Sequence, residues 1–181
     1  MGGTLHKALL DWGGKPLIQH QCELLAAAGC DPVVVVTGHR GQELTRAIPS
    51  SCRTVHNADW KHGRSLSFEL GARAIAPEVS DLLVVAVDQP LNATVVARLM
   101  EAPQGPLIVP RDADGRTGHP ILLGVDEWPR LRSATTYPQG LRSIVAPLMK
   151  HAREVDVDAP IRWDLNTLEQ YQAALASRFG V

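Results

Sequence analysis

Apolar and polar positions occur along the chain in blocks that predict strands alternating with helices. The clearest strand is the unbroken apolar run from Leu82 to Val87, which is typical of a strand buried on both faces of a parallel sheet. After it, Val95, Val96 and Leu99 have helical spacing, and Asn92 is the expected N-cap. This alternation predicts an α/β fold of three layers, α/β/α, with a mostly parallel sheet between the helices.

The other predicted elements follow the same alternation and are bounded by glycine, proline or capping residues. Strands are predicted over 33–37, 53–56, 107–109, 121–123, 154–157 and 161–165. Helices are predicted over 16–28, 42–48, 66–75 and 138–148, and from 167 onwards, where Thr167-Leu168-Glu169-Gln170 has the form of a capping box.

Length, charge and cysteine content limit the class of protein. The 181 residues are expected to form one domain, 1–181, with a sizeable core. A net charge of −1 without a basic stripe argues against nucleic-acid binding. No apolar stretch reaches the roughly 20 residues of a membrane span, and the start has no signal-peptide pattern, so no membrane partner is expected. Three cysteines without metal-ligand spacing favour reduced thiols and a cytoplasmic location.

Two polar segments follow predicted strands. Asp88 closes the apolar run, and ligands of open α/β sheets bind beyond the carboxyl ends of strands, so it is a candidate to hold a hard cation or a phosphate-bearing substrate. Asp164 and Asn166 lie two residues apart and would point the same way from an extended chain. Their oxygens suit Mg²⁺. The alternative is a turn or N-cap role for Asp88 and helix capping by Asn166.

Three further segments carry candidate chemistry. The segment 56–67 leads from a loop into the start of a helix, and helix starts favour anions. Its Arg64 offers hydrogen-bond donors for phosphate groups or base edges. The alternative is that this segment is simply an exposed loop followed by a capped helix. His119, between Gly118 and Pro120, could orient a substrate or transfer a proton, or could be structural. Lys7 could supply charge to phosphates or simply be solvated.

Several short motifs occur together in a fixed order over nearly the whole chain. They are Met1-Gly2, Lys7, Gly14-Lys15-Pro16-Leu17-Ile18, Val36-Thr37-Gly38, Asn57-x-x-Trp60-x-x-Gly63-x-Ser65, Asp88-Gln89-Pro90, Gly118-His119-Pro120 and Asp164-Leu165-Asn166-Thr167. In this order they make the chain resemble the MobA-like nucleotidyltransferases, especially the branch of molybdenum cofactor cytidylyltransferases.

The resemblance implies a Rossmann-like fold of the nucleotide-diphospho-sugar transferase type and a Mg²⁺-dependent reaction. CMP or GMP would pass from CTP or GTP to a phosphorylated acceptor, a pterin such as molybdopterin, with release of pyrophosphate. The resemblance also allows a molybdoenzyme as a protein partner. The implied roles are catalysis by Asp88 and Lys7, nucleotide binding by Gly2, Lys7, Asn57, Gly63 and Ser65, acceptor binding by His119 and Arg142, and metal binding by Asp88 and Asn166.

Two departures from the family pattern keep other interpretations open. The leading strand and most of the glycine-rich phosphate loop have no counterpart, and the usual G-D-x-G-x-R is partly kept as Gln139-Gly140-Leu141-Arg142. We therefore expect weak binding of CTP and GTP, and an impaired, cofactor-binding accessory protein is the main alternative. An NAD-dependent oxidoreductase would need a G-x-G-x-x-G after a strand. A phosphatase with Asp88 as nucleophile would need an aspartate where Pro90 stands.

Overall fold

The computed structural model describes residues 6–180, so Gly2 lies outside the described residues. The strands are β1 (Val34–Thr37), β2 (Arg53–His56), β3 (Leu82–Val84), β4 (Leu107–Arg111), β5 (Ile121–Leu123) and β6 (Arg153–Asp156). The α-helices are α1 (Leu17–Ala27), α2 (Arg64–Arg73), α3 (Ala93–Glu101), α4 (Leu141–Val145) and α5 (Leu168–Phe179). Short 3-10 helices occupy Lys7–Leu9, Gly41–Leu44, Trp60–His62, Trp128–Thr136 and Ala146–His151.

The strands form two groups. β1 and β2 pair in parallel, and the other group has the order β3-β5-β4-β6. β4 and β6 are parallel, whereas β5 runs antiparallel to both of its neighbours. The chain reverses directly after β4, where Asp112 Oδ1 accepts hydrogen bonds from the backbone N–H groups of Asp114 and Arg116, at 3.1 and 2.8 Å. This short return connection produces the antiparallel pairing. The α/β class is confirmed, with a mixed sheet within the described residues.

Several predicted elements differ from those observed. The strand predicted over 82–87 ends at Val84, because its neighbour β5 pairs with three residues and the chain then turns. The strand predicted over 161–165 is wrong: this segment belongs to no strand ladder, and Leu165 instead bonds to the backbone of Asp88. The helix predicted over 42–48 is a 3-10 turn, Gly41–Leu44, whose continuation is held by a bond from Ala47 N to Leu44 O at 2.9 Å.

The predicted helix boundaries are confirmed where a capping residue defines them. Asn92 Oδ1 accepts the N–H of Thr94 at 2.9 Å at the start of α3. Thr167 and Gln170 form the expected capping box at the start of α5. The helix predicted over 138–148 splits into α4 and the 3-10 helix Ala146–His151, since a proline at position 147 cannot donate to an α-helical bond.

A buried carboxylate fixes α2 against the 3-10 helix Trp128–Thr136. Glu69 is 6% exposed, accepts the Thr135 N–H at 3.0 Å and forms an ion pair with Arg73 at 2.6 Å. The hydrogen bonds from Thr135 lower the pKa of Glu69 below its ordinary value. These contacts orient the start of α2, which carries Arg64 and Ser65. Within residues 6–180, no helix is long and apolar enough to cross a membrane.

Removal of the α5 cap should lower stability measurably. Thr167→Ala loses the hydrogen bond from Gln170 N to Thr167 Oγ1 at 3.2 Å, and we expect the free energy of unfolding to fall by about 1 kcal/mol. Urea denaturation measures this change. Ser177→Ala, an exposed position inside the same helix, is the control and should change stability by less than about 0.5 kcal/mol. Equal effects of the two substitutions would contradict the capping role.

Candidate functional site

Two polar segments, distant along the chain, meet at one backbone hydrogen bond. Leu165 N donates to Asp88 O at 2.9 Å, and the Leu165 side chain is fully buried in a core cluster with Leu17 and Trp12. Gln89 Nε2 also donates to the carboxylate of Asp164 at 2.7 Å. The predicted metal-binding segments therefore lie side by side.

Lys7 joins the same junction. Its Nζ donates to Asn166 Oδ1 at 2.6 Å. The backbone N–H of Asn166 donates to Gln170 Oε1 at 2.9 Å, so the capping box of α5 also holds this residue in place. The structure thus brings together Lys7, Asp88 and Asn166, although it does not test the roles assigned to them.

A buried glutamine holds the backbone on both sides of Asp88. Gln21, in α1, is 3% exposed, and its Nε2 donates to the carbonyl oxygens of Val87 and Gln89, each at 3.1 Å. Gln21 lies within the helix predicted over 16–28, on the same face as Leu17, Leu24 and Leu25, and none of the sequence motifs gave it a function. A polar residue on a core-facing stripe was the available signal, because a buried amide needs hydrogen-bond partners.

A cavity of about 810 Å³, here called the polar cavity, opens beside this junction. Of the predicted residues it is lined by Ser65, Asp88, His119 and Arg142. Its other polar lining residues include Arg64, Gln89, Gln139 and Asp164, and its apolar wall includes Phe68 and Met149. Within the described residues, neither Arg64 nor Arg142 forms an ion pair, and both are exposed. Both guanidinium groups are therefore available to an anionic ligand.

His119 lies half-buried in the polar cavity. Burial lowers its pKa below the ordinary value, and the nearby charge of Arg64 lowers it further, while Asp164 and Asp88 act in the opposite direction. Its Nδ1 is buried without a hydrogen-bond partner among the described residues. A neutral imidazole with a free ring nitrogen can donate to or accept from a ligand.

Asn57 and Gly63, two of the residues predicted to bind the nucleotide, do not line the polar cavity. Asn57 is fully buried, its Nδ2 donates to Ser67 Oγ at 2.9 Å, and its Oδ1 accepts the Asp59 N–H at 3.0 Å. Its amide therefore holds the loop after β2 against α2. Gly63 is exposed and precedes α2 with φ of 108°, a conformation that favours glycine. Nucleotide contact by Asn57 and Gly63 stays a prediction.

A close backbone approach joins two walls of the polar cavity. A Cβ atom placed on Gly140 would lie 2.2 Å from Ser65 Oγ, and Gly140 has φ of 51°. Both observations restrict this position to glycine. The contact brings the start of α4, with Arg142, against the start of α2.

The oxygen donors at the junction suit a hard cation. They are the carboxylates of Asp88 and Asp164 and the amide oxygen of Asn166. No cluster of three or more His, Cys, Asp or Glu side chains within residues 6–180 could hold a metal. A cation here would therefore take part of its coordination from other oxygens, such as water or phosphate, as Mg²⁺ commonly does. Asn166 Oδ1 already accepts a hydrogen bond from the Lys7 ammonium at 2.6 Å, so a cation bound there would share this oxygen with Lys7 or displace it.

Comparison with known proteins gives matches over most of the chain. Residues 1–155 match the family model described as MobA-like NTP transferase domain. Nicotine blue oxidoreductase of Paenarthrobacter nicotinovorans is 33% identical over 147 residues, which cover 75% of this chain and 71% of that protein.

Solved structures show the same fold. A nucleotidyl transferase from Methanothermobacter thermautotroptrophicus has a TM-score of 0.78 at 25% identity, covering 96% of this chain and 85% of that one. Rv0371c from Mycobacterium tuberculosis H37Rv, in complex with manganese, has a TM-score of 0.78 at 21% identity, covering 94% and 91%.

Acidification should destabilise the protein partly through His119. Its folded pKa lies below the ordinary 6.5, so below pH 6.5 the unfolded state binds the proton more readily. The stabilising contribution is complete above pH 6.5 and is lost as the pH falls through the folded pKa. We expect the free energy of unfolding to decline between pH 6.5 and 5, and to decline less in His119→Gln, as measured by urea denaturation at each pH.

His62→Gln, at an exposed histidine, is the control and should keep the dependence of the unmodified chain. Burial also lowers the pKa of His20, so part of the decline should remain in His119→Gln. An unchanged slope in His119→Gln would contradict the assignment.

Proposed function

The chain belongs to the MobA-like NTP transferase domain family, and from this premise we propose that it is a nucleotidyltransferase for a phosphorylated small molecule. CMP or GMP would pass from CTP or GTP to a pterin cofactor such as molybdopterin, with release of pyrophosphate. The observation that carries the proposal is the hydrogen bond from Leu165 N to Asp88 O, because it places the two acidic segments at the edge of the polar cavity.

Asp88 and Asn166 are the proposed holders of a divalent cation, Mg²⁺, with Asp164 tuning the site. The oxygen donors support this, and so does the manganese complex of the fold relative Rv0371c. When bound, the cation would neutralise phosphate charge. Binding of the phosphates and of the acceptor is assigned to the other side chains around the junction.

The phosphates would lie between Lys7 and the start of α2. Lys7 adds a positive charge, and Arg64 is the first residue of α2, whose free N–H groups favour an anion. Gly63 has no side chain to block the approach, and Ser65, two residues further along the chain, lines the polar cavity. Asn57 would act from behind this surface by holding the loop that carries Gly63.

The acceptor would occupy the part of the polar cavity between His119 and Arg142. Arg142 offers a planar donor group for the acceptor phosphate, and His119 would hydrogen-bond the acceptor in its neutral form. A phosphate oxygen is already a nucleophile, so alignment and charge neutralisation would supply most of the rate enhancement.

Asp88→Asn should remove most of the transferase activity. The substitution keeps the size of the side chain but removes the charge, and we expect a loss on the order of 100-fold in pyrophosphate release from CTP or GTP with molybdopterin and Mg²⁺. Asp114→Asn, at an exposed aspartate in the β4–β5 connection, is the matched control. Turnover by Asp88→Asn within about twofold of the unmodified chain would exclude the metal-binding role.

A binding titration separates catalysis from an accessory function. Calorimetry with CTP and GTP, each with Mg²⁺, measures whether the chain holds a nucleotide. Binding that Asp88→Asn weakens, without turnover, would support an impaired relative that carries a cofactor. Absence of both binding and turnover would refute the nucleotidyltransferase proposal.

A second candidate is an oxidoreductase activity, favoured by the 33% identity with nicotine blue oxidoreductase. The neutral His119 and the apolar wall of the polar cavity would then face a planar ring. Oxidation of NADH or NADPH in the presence of nicotine blue, followed by absorbance, tests it. If this activity occurs and His119→Gln lowers it, while pyrophosphate release is absent, the oxidoreductase replaces the transferase as the function.

A further inference from the structure

Two arginine side chains face the polar cavity without a carboxylate partner. Arg64, the first residue of α2, and Arg142, in α4, both line this cavity, and both are exposed. Within the described residues neither of them forms an ion pair. Two guanidinium groups at one cavity therefore leave an excess of positive charge at this place, which favours an anionic ligand.

The main chain brings these two side chains together. A Cβ atom at Gly140 would lie 2.2 Å from Ser65 Oγ and 3.4 Å from Ser65 Cα. The residue two positions before Arg142 thus packs against the residue directly after Arg64. Further along α2, the buried Glu69 accepts the N–H of a neighbouring helix and holds α2 in this place. The two positive charges are therefore kept near each other in spite of their repulsion.

The negative charges of the polar cavity are engaged elsewhere. Asp88 and Asp164 also line it, yet in the described part of the chain neither pairs with an arginine. Asp164 instead accepts a hydrogen bond from Gln89 at 2.7 Å, and the Asp88 backbone is bonded to Leu165. The polar cavity thus has an acidic part, suited to a cation, and a basic part, suited to an anion.

His119 lies between the acidic part and the basic part. Burial lowers its pKa, the charge of Arg64 lowers it further, and the charges of Asp164 and Asp88 act in the opposite direction. The Arg64 guanidinium is therefore close enough to act on a half-buried imidazole inside the polar cavity. Because that imidazole is neutral, the positive charge of the basic part comes from the two arginines.

A phosphate monoester fits the basic part better than a singly charged anion does. Above its second pKa, about 6, it carries two negative charges, which balance two guanidinium groups. Its terminal oxygens can accept the paired N–H donors of both arginines. A carboxylate or a phosphodiester has one negative charge and would leave one arginine unbalanced. The apolar wall with Phe68 and Met149 suits the ring or carbon body of such a ligand.

We propose that Arg64 joins Arg142 in a clamp that selects an acceptor ending in a phosphate monoester. The proposal rests on the proposed function, in which the acceptor is phosphorylated, and it adds Arg64 as the residue that distinguishes a doubly charged phosphate from singly charged anions. The main chain of Arg64 belongs to the start of α2, on the side assigned to the nucleotide phosphates, whereas its side chain would hold the acceptor.

The test compares two ligands of similar shape, phenyl phosphate and methyl phenyl phosphate, which carry two charges and one charge at pH 8. We expect the 181-residue chain to bind phenyl phosphate about tenfold more tightly, as measured by calorimetry. In Arg64→Gln and in Arg142→Gln this preference should fall to about twofold or less, because one guanidinium balances only one charge. Arg46→Gln, at an exposed arginine outside the polar cavity, is the matched control and should keep the tenfold preference.

NMR spectroscopy locates the bound ligand. The side-chain Nε–H signals of Arg64 and Arg142, assigned from the two variants, should shift with phenyl phosphate and saturate together. Circular dichroism checks the fold of the variants, and the two ligands on the unmodified chain decide the outcome if a variant unfolds. No saturable binding, equal affinity for the two ligands, a preference kept in Arg64→Gln, or shifts at other arginines only would overturn the proposal. Neither ligand is a nucleotide and no turnover is measured, so failure of the transferase proposal would be seen separately.

Discussion

The geometry of the candidate site depends on one hydrogen bond, from Leu165 N to Asp88 O. A single backbone bond contributes little free energy by itself, but this one lies next to a fully buried leucine and is supported from the other side by Gln21. Core packing therefore fixes the position of Asp88, whose side chain lines the polar cavity. Among the side chains that face the polar cavity, Gln89 and Asp164 hydrogen-bond to each other, whereas Arg64 and Arg142 form no ion pair within the described residues and are available to a ligand.

The sequence predicted the ends of elements well where a side chain forms the boundary. Asn92 and Thr167 bond to the backbone of their own helices, so the local sequence contains all the information required. The extent of the strand after Leu82 was wrong because strand length depends on a neighbouring strand, and the local pattern does not reveal which neighbour is present.

The sequence also predicted part of the candidate site, as it predicted part of the secondary structure. Asp88 stood out because a carboxylate follows an apolar run, and the structure brings its segment against that of Asp164 and Asn166, although β3 ends four residues earlier, at Val84. Gln21 was missed because its partners are backbone carbonyls more than sixty residues away, which no spacing rule identifies. Asn57 shows the opposite difficulty: family order indicates a binding residue, while burial shows an amide already engaged by the protein.

The contact between Gly140 and Ser65 has a consequence for how the molecule selects what it admits. A Cβ atom at Gly140 would lie 2.2 Å from Ser65 Oγ and 3.4 Å from Ser65 Cα, so the two helix starts pack closely at this point. The width of the entrance between them then depends on the main chain at Gly140 and on the rotamer of the Ser65 hydroxyl, while the side chains of Arg64 and Arg142 beside it are exposed. An entrance of this kind would select ligands by thickness through the packing of Gly140 against Ser65, and by charge through Arg64 and Arg142. The two preferences could change independently during evolution.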